Sequence, residues 1–205
     1  MLAKQPKIGA VVLAAGASRR LGEPKQLVEF ESKTLLSRTI EVVNNAMIGP
    51  IVVVTGFAHD RISPMVETAS DSGRITTIYN QNWNEGMGSS LSLGVRFLLE
   101  KAPDLEALVI SVCDQPFINE ELLERMIELF HTKPSSPVAS TYGDSIGTPA
   151  LFPRSYYCSL INIRGDRGAK ALLTDPKAET TLIPFPKGAT DIDTPEDYHS
   201  LLHSK

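Results

Sequence analysis

Short apolar runs alternate with longer segments of helical spacing along the first two thirds of the chain. Each run is rich in β-branched residues and is apolar on both faces, which is typical of strands buried beneath helices. The runs that predict strands are 8–14, 50–56, 74–80 and 107–114. Because strand–helix alternation implies right-handed crossovers, the pattern predicts an α/β fold with a doubly wound, parallel sheet.

Three segments between or after these runs repeat apolar residues every three or four positions and predict helices. Their apolar positions fall within 35–47, 91–99 and 122–130. After about residue 133 the alternation loosens. There, 138–152 predicts two strands around a turn, and 165–173 predicts a helix with Asp166 near its N-cap.

The segment "TDIDTPEDYHSLL" predicts a last helix with a well-defined start. Thr194 is the expected N-cap, Pro195 suits the first helical position, and Asp197 completes a capping box. Asp191 and Asp193 therefore lie just before this helix.

Length and composition indicate a single domain over 1–205. A chain of 205 residues buries roughly 70% of its surface on folding, so its core needs no disulfide or metal. The two cysteines, Cys113 and Cys158, are far apart and show no metal-ligand spacing. No segment reaches the ~18 uninterrupted apolar residues of a membrane span. We expect a cytoplasmic protein with no membrane partner.

The formal net charge of −4 limits the anionic ligands that the chain could bind. Contacts to nucleic-acid phosphates need a basic face, which this balance does not supply, so a general nucleic-acid partner is not expected. Any smaller anion must be met by cations placed locally.

Such cations follow the first predicted strand, in "GASRRLGEPK", residues 16–25, here called the cationic loop. Small residues such as Ala14, Ala15 and Gly16 let backbone N–H groups approach an anion, and Arg20 and Lys25 could neutralise it. The loop is neither a Walker A motif nor G-x-G-x-x-G. The alternative is a solvated turn with surface cations.

Asp114 is the last residue of the predicted strand 107–114 and directly follows its apolar run. Ligands of parallel sheets bind outside the carboxyl ends of strands, and Mg²⁺ prefers one or two carboxylates together with phosphate oxygens and water. Asp114 is therefore a candidate Mg²⁺ ligand, with Asp193 favoured over Asp191 as the second. Helix capping is the alternative for both, in the case of Asp114 for the helix that starts near Asn119.

Asn80, the last residue of the predicted strand 74–80, leads into "NEGMGSSLSLG", which opens a helix with glycines and serines. Free N–H groups and hydroxyls at a helix N-terminus suit a ribose, a base edge or a phosphate, so Gly86, Ser89 and Ser90 are candidate contacts. The alternative is a glycine-rich helix entry capped by serine. Trp83 is interpreted as a loop anchor.

Several motifs together resemble the nucleotidyltransferase superfamily that includes the molybdenum cofactor guanylyl- and cytidylyltransferases. "LAAGASRRLGEPK" resembles its signature, with Arg20 and Lys25 at the basic positions. "GMGSS", "VCDQP", "GTPALF", "GDRGAKALL" and "DIDTPEDY" extend the likeness over nearly the whole chain and most resemble the cytidylyltransferase branch. The resemblance implies a Rossmann-like, mostly parallel sheet of the nucleotide-diphospho-sugar transferase type.

The resemblance also implies an activity: transfer of CMP from CTP to a molybdopterin-type cofactor, with Mg²⁺ as the metal and pyrophosphate as the leaving group. An apo-dehydrogenase of the xanthine dehydrogenase family would be a further partner. Alternatives are a GTP-dependent guanylyltransferase, a sugar- or polyol-phosphate cytidylyltransferase, and a cofactor-binding chaperone without catalysis.

Carried onto this chain, the family's roles fall on named residues. Arg20, Lys25 and Asp114 would be catalytic, and Asp114 and Asp193 would hold the metal. Gly165 and Asp166 would border the second substrate, with a nucleotide part over about 1–116 and an acceptor part over about 117–205. The nucleotide contacts so implied are Leu13, Ala14, Ala15, Gly16, Asn80, Gly86, Ser89 and Ser90.

Overall fold

A seven-stranded sheet organises the computed structural model, which describes residues 7–68 and 73–203. The ends of the expected domain, 1–6 and 204–205, lie outside the described residues. The strands are β1 (Ile8–Ala14), β4 (Ile51–Thr55), β5 (Ile75–Tyr79), β6 (Ala107–Val112), β7 (Val138–Tyr142), β8 (Ser145–Pro153) and β9 (Thr181–Pro184). A separate small hairpin pairs β2 (Glu29–Phe30) with β3 (Lys33–Thr34).

The strand order is β5–β4–β1–β6–β8–β7–β9. The first four strands are parallel, as the sequence pattern predicts, and β8 joins them antiparallel to β6. The two strands predicted around a turn are confirmed as β7 and β8. The edge strand β9, parallel to β7, was not predicted. A four-residue strand with two exposed positions carries too little apolar pattern to be recognised.

Seven helices pack on the sheet or beside its carboxyl ends in the described residues. They are α1 (Leu35–Asn45), α2 (His59–Thr68), α3 (Met87–Lys101), α4 (Glu120–Thr132), α5 (Tyr157–Ile161), α6 (Lys170–Leu173) and α7 (Pro195–His203). The three helices predicted from apolar spacing are confirmed as α1, α3 and α4. No prediction covered α2, which carries Pro64 in its interior and buries only Ile62 and Val66.

Two capping predictions have opposite outcomes. The capping box of α7 is confirmed: the Asp197 N–H donates to Thr194 Oγ1 at 3.2 Å, and the Thr194 N–H donates to Asp197 Oδ2 at 2.9 Å. The cap at Asp166 is wrong, because α6 begins only at Lys170 and has no side-chain cap. The residues before it stay irregular since Gly165, at φ 66°, accepts a hydrogen bond from α3 instead.

The core lies on both faces of the sheet, as expected for strands that are apolar on both sides. Along β1, Val12 belongs to the cluster under α1, α2 and α4, whereas Val11 belongs to the cluster under α3 and α5. Both side chains are fully buried. Among the described residues, no helix is long and apolar enough to cross a lipid bilayer.

Gly94 sets the distance between α3 and the sheet. A Cβ atom at this position would lie 2.6 Å from Val11 Cγ1 and 2.8 Å from Val54 Cγ2, so only glycine lets the helix approach this closely. This approach matters for the site because α3 begins at the carboxyl ends of the strands.

We expect Gly94→Ala to lower the free energy of unfolding by ~1–2 kcal/mol, because an overpacking cost of ~2–3 kcal/mol outweighs the ~1 kcal/mol that alanine gains in a helix. Urea denaturation measures the change. Glu100→Ala, at an exposed position of the same helix, is the control and should stay within ~0.5 kcal/mol of the parent. A Gly94→Ala protein as stable as the parent would contradict the close-approach argument.

Candidate active site

The cationic loop is fastened to the end of β1 by a buried amide. Gln26, only 1% exposed, donates from Nε2 to the carbonyl oxygens of Ala14 and Gly16, both at 2.9 Å. Inside the loop, Ser18 Oγ accepts the Lys25 N–H at 3.0 Å. Gln26 was not predicted to have a role, although it directly follows Lys25 of the motif. These bonds hold Lys25 at the carboxyl edge of the sheet.

Lys25 meets two carboxylates that come from distant segments. Its Nζ lies 2.5 Å from Asp114 Oδ2, at the end of β6, and 3.0 Å from Asp193 Oδ1, just before α7. Arg20 completes the group with NH2 at 2.6 Å from Asp193 Oδ2. The structure therefore brings together the four charged residues that the sequence suggested for catalysis and metal binding. We call Arg20, Lys25, Asp114 and Asp193 the charge cluster.

The protonation of the charge cluster follows from its contacts. Burial alone would lower the pKa of Lys25, but the negative charge of Asp114 and hydrogen bonds to Asp114 and Asp193 raise it above its ordinary value. Burial alone would likewise raise the pKa of Asp193, yet Lys25 and Arg20 hold it below its ordinary value. The Lys25 ammonium and the Asp193 carboxylate therefore keep their charges at neutral pH.

Capping does not account for either candidate metal ligand. The N-cap of α4 is Asn119, whose Oδ1 accepts the Leu122 N–H at 2.9 Å, and the box of α7 uses Thr194 with Asp197. The carboxylates of Asp114 and Asp193 are thus left for the charge cluster.

Asp191 is the odd member of this neighbourhood. Although much of the residue faces solvent, partial burial of its carboxyl and the nearby charge of Asp114 raise its pKa from 3.8 to about 6. Cys113, between β6 and Asp114, is fully buried, and burial together with Asp114 raises the pKa of its thiol to about 12. The thiol therefore stays protonated and is not a nucleophile.

A cavity of about 420 Å³, the first cavity, opens beside the charge cluster. Of the residues suggested by the sequence, those lining it are Leu13, Ala15, Gly16, Lys25, Gly86, Ser90, Asp114 and Asp166. Those outside its lining are Ala14, Arg20, Asn80, Ser89, Gly165 and Asp193. Trp83 lines the cavity and also packs over Gly56, so it is more than an anchor.

Asn80 lies behind the first cavity and ties β5 to the start of α3. Its Nδ2 donates to Ser89 Oγ at 2.8 Å and to Ser90 Oγ at 2.9 Å, while its Oδ1 accepts the Asn82 N–H at 3.0 Å. Only Ser90 of these lines the cavity. Asn80 and Ser89 therefore position the helix entry from outside the cavity.

The start of α3 is pressed against the loop that precedes α6. The Gly88 N–H donates to the Gly165 carbonyl at 2.8 Å, and a Cβ at Gly86 (φ 101°) would lie 2.5 Å from Asp166 Oδ1. Glycine is required at 86 both for its positive φ and for this close approach. Asp166 reaches the first cavity because of this seating.

A second cavity, of about 280 Å³, lies on the other side of this contact between α3 and the loop before α6. It shares a wall with the first cavity, formed by Leu13, Met87, Val112 and Asp166. Tyr142, Ile146 and Lys170 line its far side. Tyr142 was missed as a pocket residue, because nothing local in the sequence distinguishes it. The two cavities can place two small molecules next to each other.

The charge cluster fits a divalent metal such as Mg²⁺. Carboxylate oxygens are the hard ligands that Mg²⁺ prefers, and Asp114 Oδ1 is buried with no hydrogen-bond partner among the described residues. In the described ranges, 7–68 and 73–203, no three acidic, histidine or cysteine side chains are grouped to hold a metal by themselves. Two carboxylates suit a metal whose remaining ligands are phosphate oxygens and water.

We expect Asp191→Asn to raise the thermal unfolding midpoint of metal-free protein by a few degrees at about pH 7.5, and by less at about pH 5. A carboxyl whose folded pKa is raised from 3.8 to about 6 lowers stability progressively as pH rises through that window. Calorimetry in EDTA measures the midpoints, with Asp144→Asn, in an exposed turn, as control. Equal gains at both pH values would contradict the assignment.

Comparisons with known proteins agree with this architecture. The chain is 27% identical over 203 residues to purine catabolism protein PucB of Bacillus subtilis (strain 168), covering 95% of this chain and 96% of PucB. It is 26% identical to a probable molybdenum cofactor guanylyltransferase of Bacillus cytotoxicus, covering 58% of this chain and 55% of that protein. It spans 32% of the bifunctional GlmU proteins of Bifidobacterium longum.

Among solved structures, Rv0371c from Mycobacterium tuberculosis H37Rv matches with a TM-score of 0.80 and 26% identity, covering 98% of this chain and 100% of that one. A second structure of Rv0371c, in complex with manganese, matches with a TM-score of 0.74 and 25% identity over 97% of this chain and 100% of that one. The model of the MobA-like NTP transferase domain matches residues 10–180. The chain therefore belongs to the MobA-like NTP transferase family.

Proposed function

We propose that this nucleotidyltransferase moves CMP from CTP to a molybdopterin-type cofactor and releases pyrophosphate. The observation that carries the proposal is the charge cluster at the mouth of the first cavity, beside a second cavity that shares its wall. A triphosphate needs local cations in a protein of net charge −4, and Lys25 and Arg20 are the cations in this cluster.

The proposed reaction is a direct displacement at phosphorus. A phosphate oxygen of the acceptor attacks the α-phosphorus of the nucleotide and forms a new P–O bond, while the bond to the β-phosphate oxygen breaks and pyrophosphate leaves with the electron pair. No covalent enzyme intermediate is needed, so catalysis rests on positioning and on neutralising charge. Lys25 and Arg20 would hold the β- and γ-phosphates.

Asp114 and Asp193 would hold Mg²⁺ in this scheme. The metal, when bound, would neutralise charge on the phosphate oxygens. Asp114 Oδ1, which is buried and has no hydrogen-bond partner within 7–68 and 73–203, supports this role, and the manganese complex of Rv0371c shows that a relative binds a divalent metal.

The first cavity would hold the nucleotide and the second the acceptor. Leu13, Ala15, Gly16, Gly86 and Ser90 would contact the nucleotide from the first cavity. Asn80 and Ser89 would act by positioning the start of α3, and Ala14 by anchoring Gln26.

Gly165 and Asp166 would border the acceptor. The division into a nucleotide part, about 1–116, and an acceptor part, about 117–205, is supported by the far wall of the second cavity, which comes from residues 142–173. We also propose a cytoplasmic enzyme that passes its product to a dehydrogenase of the xanthine dehydrogenase family.

The choice of CTP rests on the motifs that resemble the cytidylyltransferase branch, while the likeness to a probable guanylyltransferase favours GTP as the second candidate. We expect pyrophosphate release with CTP, Mg²⁺ and molybdopterin cofactor, and little with GTP or ATP. Release with GTP alone would replace the cytidylyl proposal with guanylyl transfer. No release with any nucleotide, from folded protein, would contradict both.

We expect Lys25→Ala to lower turnover ~10²-fold or more, as does the loss of one preorganised donor in other enzymes. Steady-state pyrophosphate release measures the loss of turnover. The assay temperature is kept below the thermal unfolding midpoint of each variant. Arg125→Ala, which breaks an exposed ion pair on α4, is the charge-matched control and should keep full turnover. Near-normal turnover of folded Lys25→Ala would remove Lys25 from the phosphate site.

A further inference from the structure

The Lys25 ammonium lies between the two candidate metal ligands, Asp114 and Asp193, where a bound cation would contact both. Its Nζ is within 3.0 Å of oxygens from both Asp114 and Asp193, and the Lys25 and Asp114 side chains are only 17% and 19% exposed. An ammonium is a compact point charge with three donors, so it can satisfy two carboxylates at once. Without a cation between them, the two carboxylates would repel each other.

The charge cluster is already neutral as a set. Asp114 and Asp193 carry two negative charges, and Lys25 and Arg20 carry two positive charges in direct contact with them. A divalent cation approaching these carboxylates gains little attraction while Lys25 stays, because the ammonium both cancels their charge and takes Asp114 Oδ2.

A bound triphosphate would change this balance. Its phosphate oxygens offer Lys25 and Arg20 new acceptors, and an ammonium on a flexible four-carbon stem can turn from a carboxylate to a phosphate without backbone movement. The carboxylates are then free to hold a metal ion that the phosphates also bind.

We propose that Lys25 acts as an internal counter-cation that keeps Asp114 and Asp193 from binding a divalent metal until a triphosphate draws the ammonium away. Metal entry is thereby coupled to nucleotide binding at the same site. This inference rests on the proposed nucleotidyl transfer for the identity of the anion, whereas the block on metal binding rests on the contacts of Lys25 alone.

The test is a titration of nucleotide-free protein with Mn²⁺. The electron paramagnetic resonance signal of free Mn²⁺ measures how much metal stays unbound. We expect Lys25→Met, of similar length but neutral, to bind Mn²⁺ ~10-fold more tightly than the parent, because the competing charge is gone. Arg19→Met is the matched control: Arg19 also lines the first cavity but is in no ion pair with Asp114 or Asp193. It should change the affinity less than ~3-fold.

Unchanged or weaker Mn²⁺ binding by folded Lys25→Met would overturn the proposal, as would an equal gain in Arg19→Met. Circular dichroism checks folding, and Lys25→Gln, which keeps a hydrogen-bond donor, serves if Lys25→Met does not fold. The same gain of affinity is expected for Lys25→Gln. Because no nucleotide is present, a failed CTP assay with a successful Mn²⁺ result would reject the proposed substrate while retaining the counter-cation.

Discussion

The contact between one ammonium and two carboxylates is the constraint on which the site depends. Lys25 lies 89 residues from Asp114 and 168 residues from Asp193 along the chain, yet its Nζ touches both. Ions largely removed from water cost several kcal/mol each unless their charges and hydrogen bonds are matched. The charges are matched only while three segments keep their relative positions: the cationic loop, the end of β6 and the entry to α7. A shift of any one of them would leave charged side chains of the others without their partners.

Apolar contacts hold the same segments in place from below. A small cluster of buried side chains joins the cationic loop, the β2–β3 hairpin and α7; its members are Leu21, Val28, Phe30, Leu35, Ile192 and Leu201. Tyr198 on α7 adds a hydrogen bond from its hydroxyl to the Glu29 carbonyl at 2.8 Å. Burial of apolar area supplies the non-directional attraction, and the charge cluster above it supplies orientation. The last helix is thus part of the site and not an appendage to the sheet.

Close backbone contact links the two cavities. Gly86 and Gly88 let the start of α3 lie directly against residues 164–166, where any side chain at either glycine would meet backbone atoms within 3.0 Å. Met87, between them, and Asp166, opposite, then become parts of both cavity walls. The same contact explains why the chain before α6 is not helical, since the Gly165 carbonyl accepts a hydrogen bond from the Gly88 N–H of α3. Two substrates on either side of this wall would be positioned by one rigid element.

Local patterns in the sequence determined the strands β1, β4, β5 and β6, the helices with regular apolar spacing and the cap of α7, because burial and short-range hydrogen bonds leave a periodic trace. They also indicated the charged residues at the strand ends, since parallel strands share one carboxyl edge. Only the tertiary structure decided that Lys25 bridges Asp114 and Asp193, that Gln26 anchors the loop, and that Asp166 faces two cavities and caps no helix. These features depend on contacts between segments that are far apart in the chain. Packing decides which of those segments meet in space, and a contact of this kind leaves no local pattern in the sequence.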